Sequence, residues 1–98
     1  MYLIRDVFHC KPGHSTSLAE RLKKTFPLAK KMGGFVSARV LVDYVTSYWT
    51  VVLEMEVESL GDFEREMKEH AARPEFREAM QGYMDEVDGG HREIFRIA

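Results

Sequence analysis

The chain has 98 residues, 45% hydrophobic and 31% charged, with a formal net charge of -2; these values describe one small globular domain, residues 1–98. The slight acidity excludes the basic footprint of a nucleic-acid binder, and no apolar run approaches the length of a membrane span. A lone cysteine, Cys10, excludes an internal disulfide and fits a reducing cytoplasm, as does an N-terminus, MYLIRDVFHC, with charges at Arg5 and Asp6 and no signal-peptide layout.

Tyr2–Cys10 is rich in strand formers, and Lys11-Pro12-Gly13 ends it by turn chemistry. Each phase of this strand carries a charge, so alternation does not say which side meets the helices. Ser15–Met32 predicts a helix with the apolar stripe Leu18, Leu22, Phe26 and Ala29. His14 to Ser17 offer caps, Pro27 predicts a kink or restart, and Gly33-Gly34 predicts the stop.

Phe35–Tyr44 alternates as a second strand. Val36, Ala38, Val40, Val42 and Tyr44 form one face, and Phe35, Ser37, Arg39, Leu41 and Asp43 the other. A hairpin then leads into Tyr48–Val57, the longest stretch with a period of two. Its phase Trp49, Val51, Leu53, Met55 and Val57 is wholly apolar and asks for a layer of helices. The phase Tyr48, Thr50, Val52, Glu54 and Glu56 mixes aromatic, hydroxyl, apolar and acidic groups.

Ser59-Leu60-Gly61-Asp62 fits a capping box, followed by Phe63, Met67 and Ala71 at helical spacing. Arg73-Pro74 breaks this helix. A second piece starts at Pro74, carries Phe76, Met80, Tyr83 and Val87, and stops at Asp88-Gly89-Gly90. His91–Ile97 is the last strand. The order strand, helix, strand, strand, helix, strand predicts a ferredoxin-like α+β sandwich, a four-stranded antiparallel sheet with helices on one face. The uncovered face would expose Tyr48, Val52, Phe35 and Leu41 beside charges. That is too apolar for a solvated face, and it predicts a homodimer packed sheet to sheet around a mixed chamber.

Strong catalytic motifs are absent: no CxxC, HExxH, Walker A or GxGxxG occurs. His70, beside the Arg73-Pro74 break, can act as an acid or base near neutral pH. The plainer alternative is a helix-end histidine hydrogen-bonded to Glu66. Glu66 and His70 share a helix face, but two ligands without a third make no metal site, and none is expected. Tyr48 can face a chamber and bind an aromatic ligand, where Trp49 would wall the pocket; the plainer reading is Trp49 in the core and Tyr48 in core or dimer packing. Arg39 and Glu54 lie on chamber-facing phases of neighbouring strands, either as a polar anchor for a ligand or as a cross-strand ion pair. Arg92 and Glu93 read as a pair at the rim, His9 and His91 as solvated, and Cys10 as an inert small hydrophobe.

Three stretches carry a resemblance. They are the strand ending in Lys11-Pro12-Gly13, the hairpin running into Glu54-Met55-Glu56-Val57-Glu58-Ser59-Leu60, and His70-Ala71-Ala72-Arg73-Pro74-Glu75-Phe76. With them the chain resembles the dimeric α/β-barrel superfamily over nearly its whole length. The last stretch is similar to the His-x-x-x-Pro-x-Phe pattern of antibiotic-biosynthesis-monooxygenase-type domains. The ending Gly90-His91-Arg92-Glu93-Ile94-Phe95 resembles the NIPSNAP-like branch.

The resemblance implies a homodimer with the two sheets face to face and a pocket between sheet and helices in each protomer. It implies a range of roles: cofactor-free oxygenation of polycyclic aromatic compounds, heme degradation, isomerisation, and ligand binding without catalysis. In the heme branch a ligating histidine follows the Phe by four residues. Here Met80 stands at that position after Phe76, so no heme and no other cofactor is expected. The expectation is a small hydrophobic or aromatic ligand, handled by a cofactor-free monooxygenase or isomerase with His70 moving a proton, or held by a non-catalytic binding or assembly domain.

Overall fold

The computed structural model describes all 98 residues. In chain order it contains β1 (Tyr2–Cys10), α1 (Ser15–Met32), β2 (Ser37–Val42), β3 (Thr50–Val57), α2 (Leu60–Ala72), α3 (Pro74–Ala79) and β4 (Val87–Arg96), with a 3-10 turn at Tyr83–Asp85. The strands lie in the order β2-β3-β1-β4, with every neighbouring pair antiparallel. This is the ferredoxin-like α+β arrangement that the order of elements predicts. No helix is long and apolar enough to cross a membrane.

Strand pairing resolves the face of β1 that alternation leaves open. Tyr2, Ile4, Asp6 and Phe8 stand opposite Val57, Met55, Leu53 and Val51 of β3, so they share the apolar phase of that strand. Leu18, Ala19 and Leu22 of α1 pack there with Cys10 and Val51. Phe63 of α2 packs there with Ile4, Met55 and Val57. Ile4, Leu18, Val51 and Val57 are fully buried, each contributing roughly 2 kcal/mol of hydrophobic stabilisation. The core is thus two small clusters. Helix α3 packs on both α1 and α2, while α1 and α2 make little direct contact. A cleft opens between the clusters.

Several local expectations are corrected. Strand β3 begins at Thr50, because Trp49 adopts φ +61° and leaves the extended region. The 43–49 connection is held shut at its base, where Asp43 Oδ1 accepts the Thr50 N–H at 3.0 Å and Cys10 donates its N–H to the Trp49 carbonyl at 2.8 Å. Tyr48 therefore sits on an exposed loop rather than in the sheet. Phe35 turns toward the helices and joins the second cluster, after Gly33 and Gly34 reorient the chain at φ +81° and +94°. Helix α1 runs unbroken through Pro27; the proline leaves one exposed carbonyl without its donor, and the remaining ladder holds the helix. None of the hydroxyls caps α1; His14 occupies that position with no side-chain bond. The expected capping serine does work in α2, where the Asp62 N–H donates to Ser59 Oγ at 3.2 Å.

The C-terminal third differs most. Helix α3 stops at Ala79, and Gly82 at φ +83° turns the chain. Strand β4 then starts at Val87, so Gly89 and Gly90 lie inside a strand instead of ending a helix. Gly90 faces Phe8 of β1, and a Cβ there would stand 2.1 Å from the Val7 carbonyl oxygen. Only a residue without a side chain permits that approach.

Candidate functional site

The inner end of the cleft is a recess of about 60 Å³. Leu22 and Phe26 of α1, Phe35, Met55 of β3, and Phe63 and Met67 of α2 supply its apolar walls. Gly34 closes it against the Glu66 side chain, whose Cγ would lie 2.6 Å from a Cβ at that position. Among the polar groups, Thr25 is satisfied by donating to the Leu22 carbonyl at 2.7 Å.

Glu66 and His70 are the others, and of these His70 is the one that is buried. It ends α2 against the recess, 4% exposed. Its ring meets Phe76 edge-on at 6.0 Å and makes no hydrogen bond within the protein. The alternative role, a bond to Glu66, does not form. Burial pushes the imidazole below the usual 6.5, opposed by the carboxylate of Glu66 and reinforced by Arg73. His70 is therefore a neutral base at neutral pH.

That depression has a thermodynamic consequence. The unfolded chain binds more protons than the folded one between the two pKa values. The stability is thus complete above 6.5 and falls as pH drops from 6.5 toward the lower folded value. Urea midpoints measured across that window should decline more steeply in the native protein than in His70→Leu. Equal slopes would show that His70 is not the group responsible.

The outer end of the cleft is a half-open groove of about 520 Å³. Phe8, Met80, Tyr83, Met84 and Val87 line it, and Leu22, Leu53, Met67 and Phe76 wall both groove and recess. An ion pair lies along it. Arg92 of β4 grips both carboxylate oxygens of Asp6, through Nε to Oδ1 and through Nη2 to Oδ2 at 3.1 Å, and its guanidinium covers the Phe63 ring at 5.4 Å. The Asp6 bond holds Arg92 even more firmly protonated than usual.

The other four expected site residues lie elsewhere. Arg39 and Glu54 are on the helix-free face. Glu54 is buried, accepting from Arg39 Nε at 2.8 Å and from Arg5 Nε at 3.1 Å. Arg5 Nη1 continues to Glu93 at 2.8 Å, and His91 closes the row at 3.3 Å from Glu93. One rung of the sheet thus carries alternating charges across all four strands. Tyr48 is 87% exposed and Trp49 40% exposed, both on the 43–49 loop. The sheet itself separates His70 from Arg39 and Glu54.

Arg92 and Glu93 do not pair with each other. Being adjacent in a strand they point to opposite faces, one to Asp6 and the other to Arg5. The sequence alone does not mark Asp6, Arg92, Arg5 and Glu93 as site residues. A signal existed: in this topology β1 and β4 are antiparallel neighbours, and each carries one acid and one base side by side.

Two further groups are structural. Glu86 accepts from Arg21 Nε at 2.8 Å and Ser17 Oγ at 2.9 Å, tying α1 to the start of β4. Burial, then Glu86, raises the Cys10 thiol pKa, leaving it a poor nucleophile. A larger surface hollow among Ser17, Glu20, Arg21 and Glu75 is lined by solvated charges and lacks apolar walls.

No family model matches the chain, and no curated protein matches it in sequence. Solved structures do match in shape. A NIPSNAP family protein of Agrobacterium tumefaciens superposes with a TM-score of 0.83 at 10% identity, over 99% of this chain and 92% of that one. An uncharacterised NIPSNAP-like domain protein of Burkholderia xenovorans gives 0.80 at 14% identity, over 99% and 84%. A candidate antibiotic biosynthesis monooxygenase of Chloroflexus aurantiacus gives 0.75 at 14%, over 99% and 92%. The chain carries the NIPSNAP and antibiotic-biosynthesis-monooxygenase fold. This is the fold that the resemblance of the His70 to Phe76 and Gly90 to Phe95 stretches implies. At such identities a NIPSNAP-like fold says how the elements are arranged and leaves the chemistry to the residues.

Proposed function

We propose that this protein is a homodimeric binder of a small apolar, partly aromatic compound, and that it oxidises that compound as a cofactor-independent monooxygenase. The observation that carries the reading is His70, a buried neutral imidazole without a protein partner at the end of an apolar cleft. The groove holds the body of the compound, and the recess admits its reacting edge beside His70. A phenolic O–H gives its proton to the imidazole, and the electron-rich ring reduces O2. One oxygen atom bonds to a ring carbon, which loses its hydrogen, and the other leaves as water, so that phenol and O2 become quinone and water. In the dimer the helix-free faces meet, Arg39 and Glu54 lie between the sheets, and Tyr48 and Trp49 stand at the margin.

Oxygen uptake against a panel of quinol and polyketide-like phenols tests the reading. A substrate is consumed with one O2 each, and His70→Ala slows turnover by about a hundredfold, the usual worth of one general base. Undiminished turnover in that variant removes His70 from the chemistry. Sedimentation showing a lone subunit at micromolar concentration removes the dimer.

A second reading has its own observation. The recess, about 60 Å³, holds much less than an aromatic ring, which favours binding in the groove without catalysis. Thermal stabilisation by a ligand that is recovered unchanged supports this alternative.

A further inference from the structure

We propose that the outer groove selects ligands that carry an oxygen acceptor, a carbonyl or an anionic oxygen, and seats that oxygen on Nη1 of Arg92, with Asp6 as the positioning residue. The inference rests on the ligand cleft proposed above and adds the polar chemistry of its occupant.

Asp6 occupies the helix-facing phase of β1, between Ile4 and Phe8. The Asp6 side chain is 14% exposed and that of Arg92 46% exposed, and an ion pair so placed adds little to stability. The fold gives no reason for the pair, whereas the groove does. Nε and Nη2 of Arg92 are both spent on Asp6, and one face of the guanidinium is covered by Phe63. The ion pair and the ring together fix the plane of the group. Nη1 is left with two N–H donors and no partner in the protein.

Both Asp6 oxygens are engaged by Arg92, so the group of the pair left without any protein partner is a donor, Nη1. A ligand that supplied only donors, or no polar atom, would leave Nη1 unmatched. Met67, Met80 and Met84 around the groove are flexible and polarisable, which suits an apolar body of loosely defined shape. The volume of about 520 Å³ falls within the usual span of small-molecule sites, roughly 300–1,000 Å³. No further charge faces the pair: of the other titratable groups at the groove, His91 is engaged with Glu93 on the opposite face, and Tyr83 carries a neutral phenol.

Three naphthalene dyes that brighten in apolar surroundings separate the terms. Phenylnaphthylamine has no oxygen, prodan has a ketone, and anilinonaphthalene sulfonate has an anionic oxygen group. All three should bind the intact protein, and at least one of the oxygen-bearing dyes should lose about tenfold or more in affinity in the double variant Asp6→Leu, Arg92→Met, in proportion to a lost charge-assisted hydrogen bond. Phenylnaphthylamine should bind that variant as well or better. The dye that responds tells a carbonyl from an anion. Arg92→Lys, which keeps the charge but loses the fork, should weaken the same dye and provides the reading should the double variant not fold. Equal effects on all three dyes, or none, overturn the acceptor seat while leaving the apolar cleft. Failure of every dye to bind the intact protein overturns the cleft itself.

Discussion

Gly90→Ala should be the most damaging small substitution in the protein, lowering stability by about 3 kcal/mol or more, the upper end for overpacking. The added methyl would lie 2.1 Å from the Val7 carbonyl oxygen and 3.3 Å from the Phe8 Cα. Both obstacles are backbone atoms of the central strand, so no rotamer change relieves the contact. Strand β4 must lift away, and it is held to the sheet only through β1. Domains of this size are stable by about 0.05–0.15 kcal/mol per residue, so the loss is a large share of the whole. With a slope near 1 kcal/mol per molar in urea for a small domain, the midpoint should fall by about 3 M or more. Gly89→Ala is the matched control. Its added methyl meets nothing within 4 Å, and the midpoint should move by no more than a few tenths of a molar. Equal midpoints for the two variants would mean that β4 is not pressed against β1 at Gly90.

Glu54→Ala should cost about 2 kcal/mol, read from urea denaturation. Glu54 is the buried centre of the charge row, taking Arg39 on one oxygen and Arg5 on the other. The two halves are unequal. Arg39 is 70% exposed in a single protomer, so in a lone subunit a double-mutant cycle with Arg39→Ala would give well under about 1 kcal/mol of coupling. Arg5 lies between Glu54 and Glu93 and is less exposed, so its cycle with Glu54 would show the larger coupling there. The proposed pairing of sheets covers Arg39, and its coupling should then rise to match that of Arg5; a weak Arg39 coupling would count against the pairing. The two cycles thus report on stability and on the helix-free face together.

Legibility in the sequence followed the kind of interaction involved. The apolar phase of 51–57 was readable because a strand alternates with a period of two and the helices cover every second residue. The helix boundaries at Ser59 and at Arg73-Pro74 were readable because capping and proline act within a few residues. Trp49 shows where this failed: Tyr and Trp favour strands, but the closure of the 43–49 loop by Asp43 and Cys10 overrides that preference. Gly89-Gly90 shows it again. A glycine pair after a helical pattern reads as a stop, and only the neighbouring strand reveals that the missing side chain is a requirement of close approach. The candidate site divides along the same line. His70 stands out by its place beside a helix break. Asp6 and Arg92 are 86 residues apart in sequence and become a pair only when the terminal strands align.

The sequence by itself therefore determined the order and type of the elements, the side of β3 that meets the helices, and hence the ferredoxin-like class, because these depend on periodicity and on short-range sterics. Tertiary structure decided which side of β1 faces the helices, that Arg39 and Glu54 lie across the sheet from His70, and that an ion pair lines the apolar cleft. Those outcomes depend on strand register, and register is a relation between segments that no single segment contains.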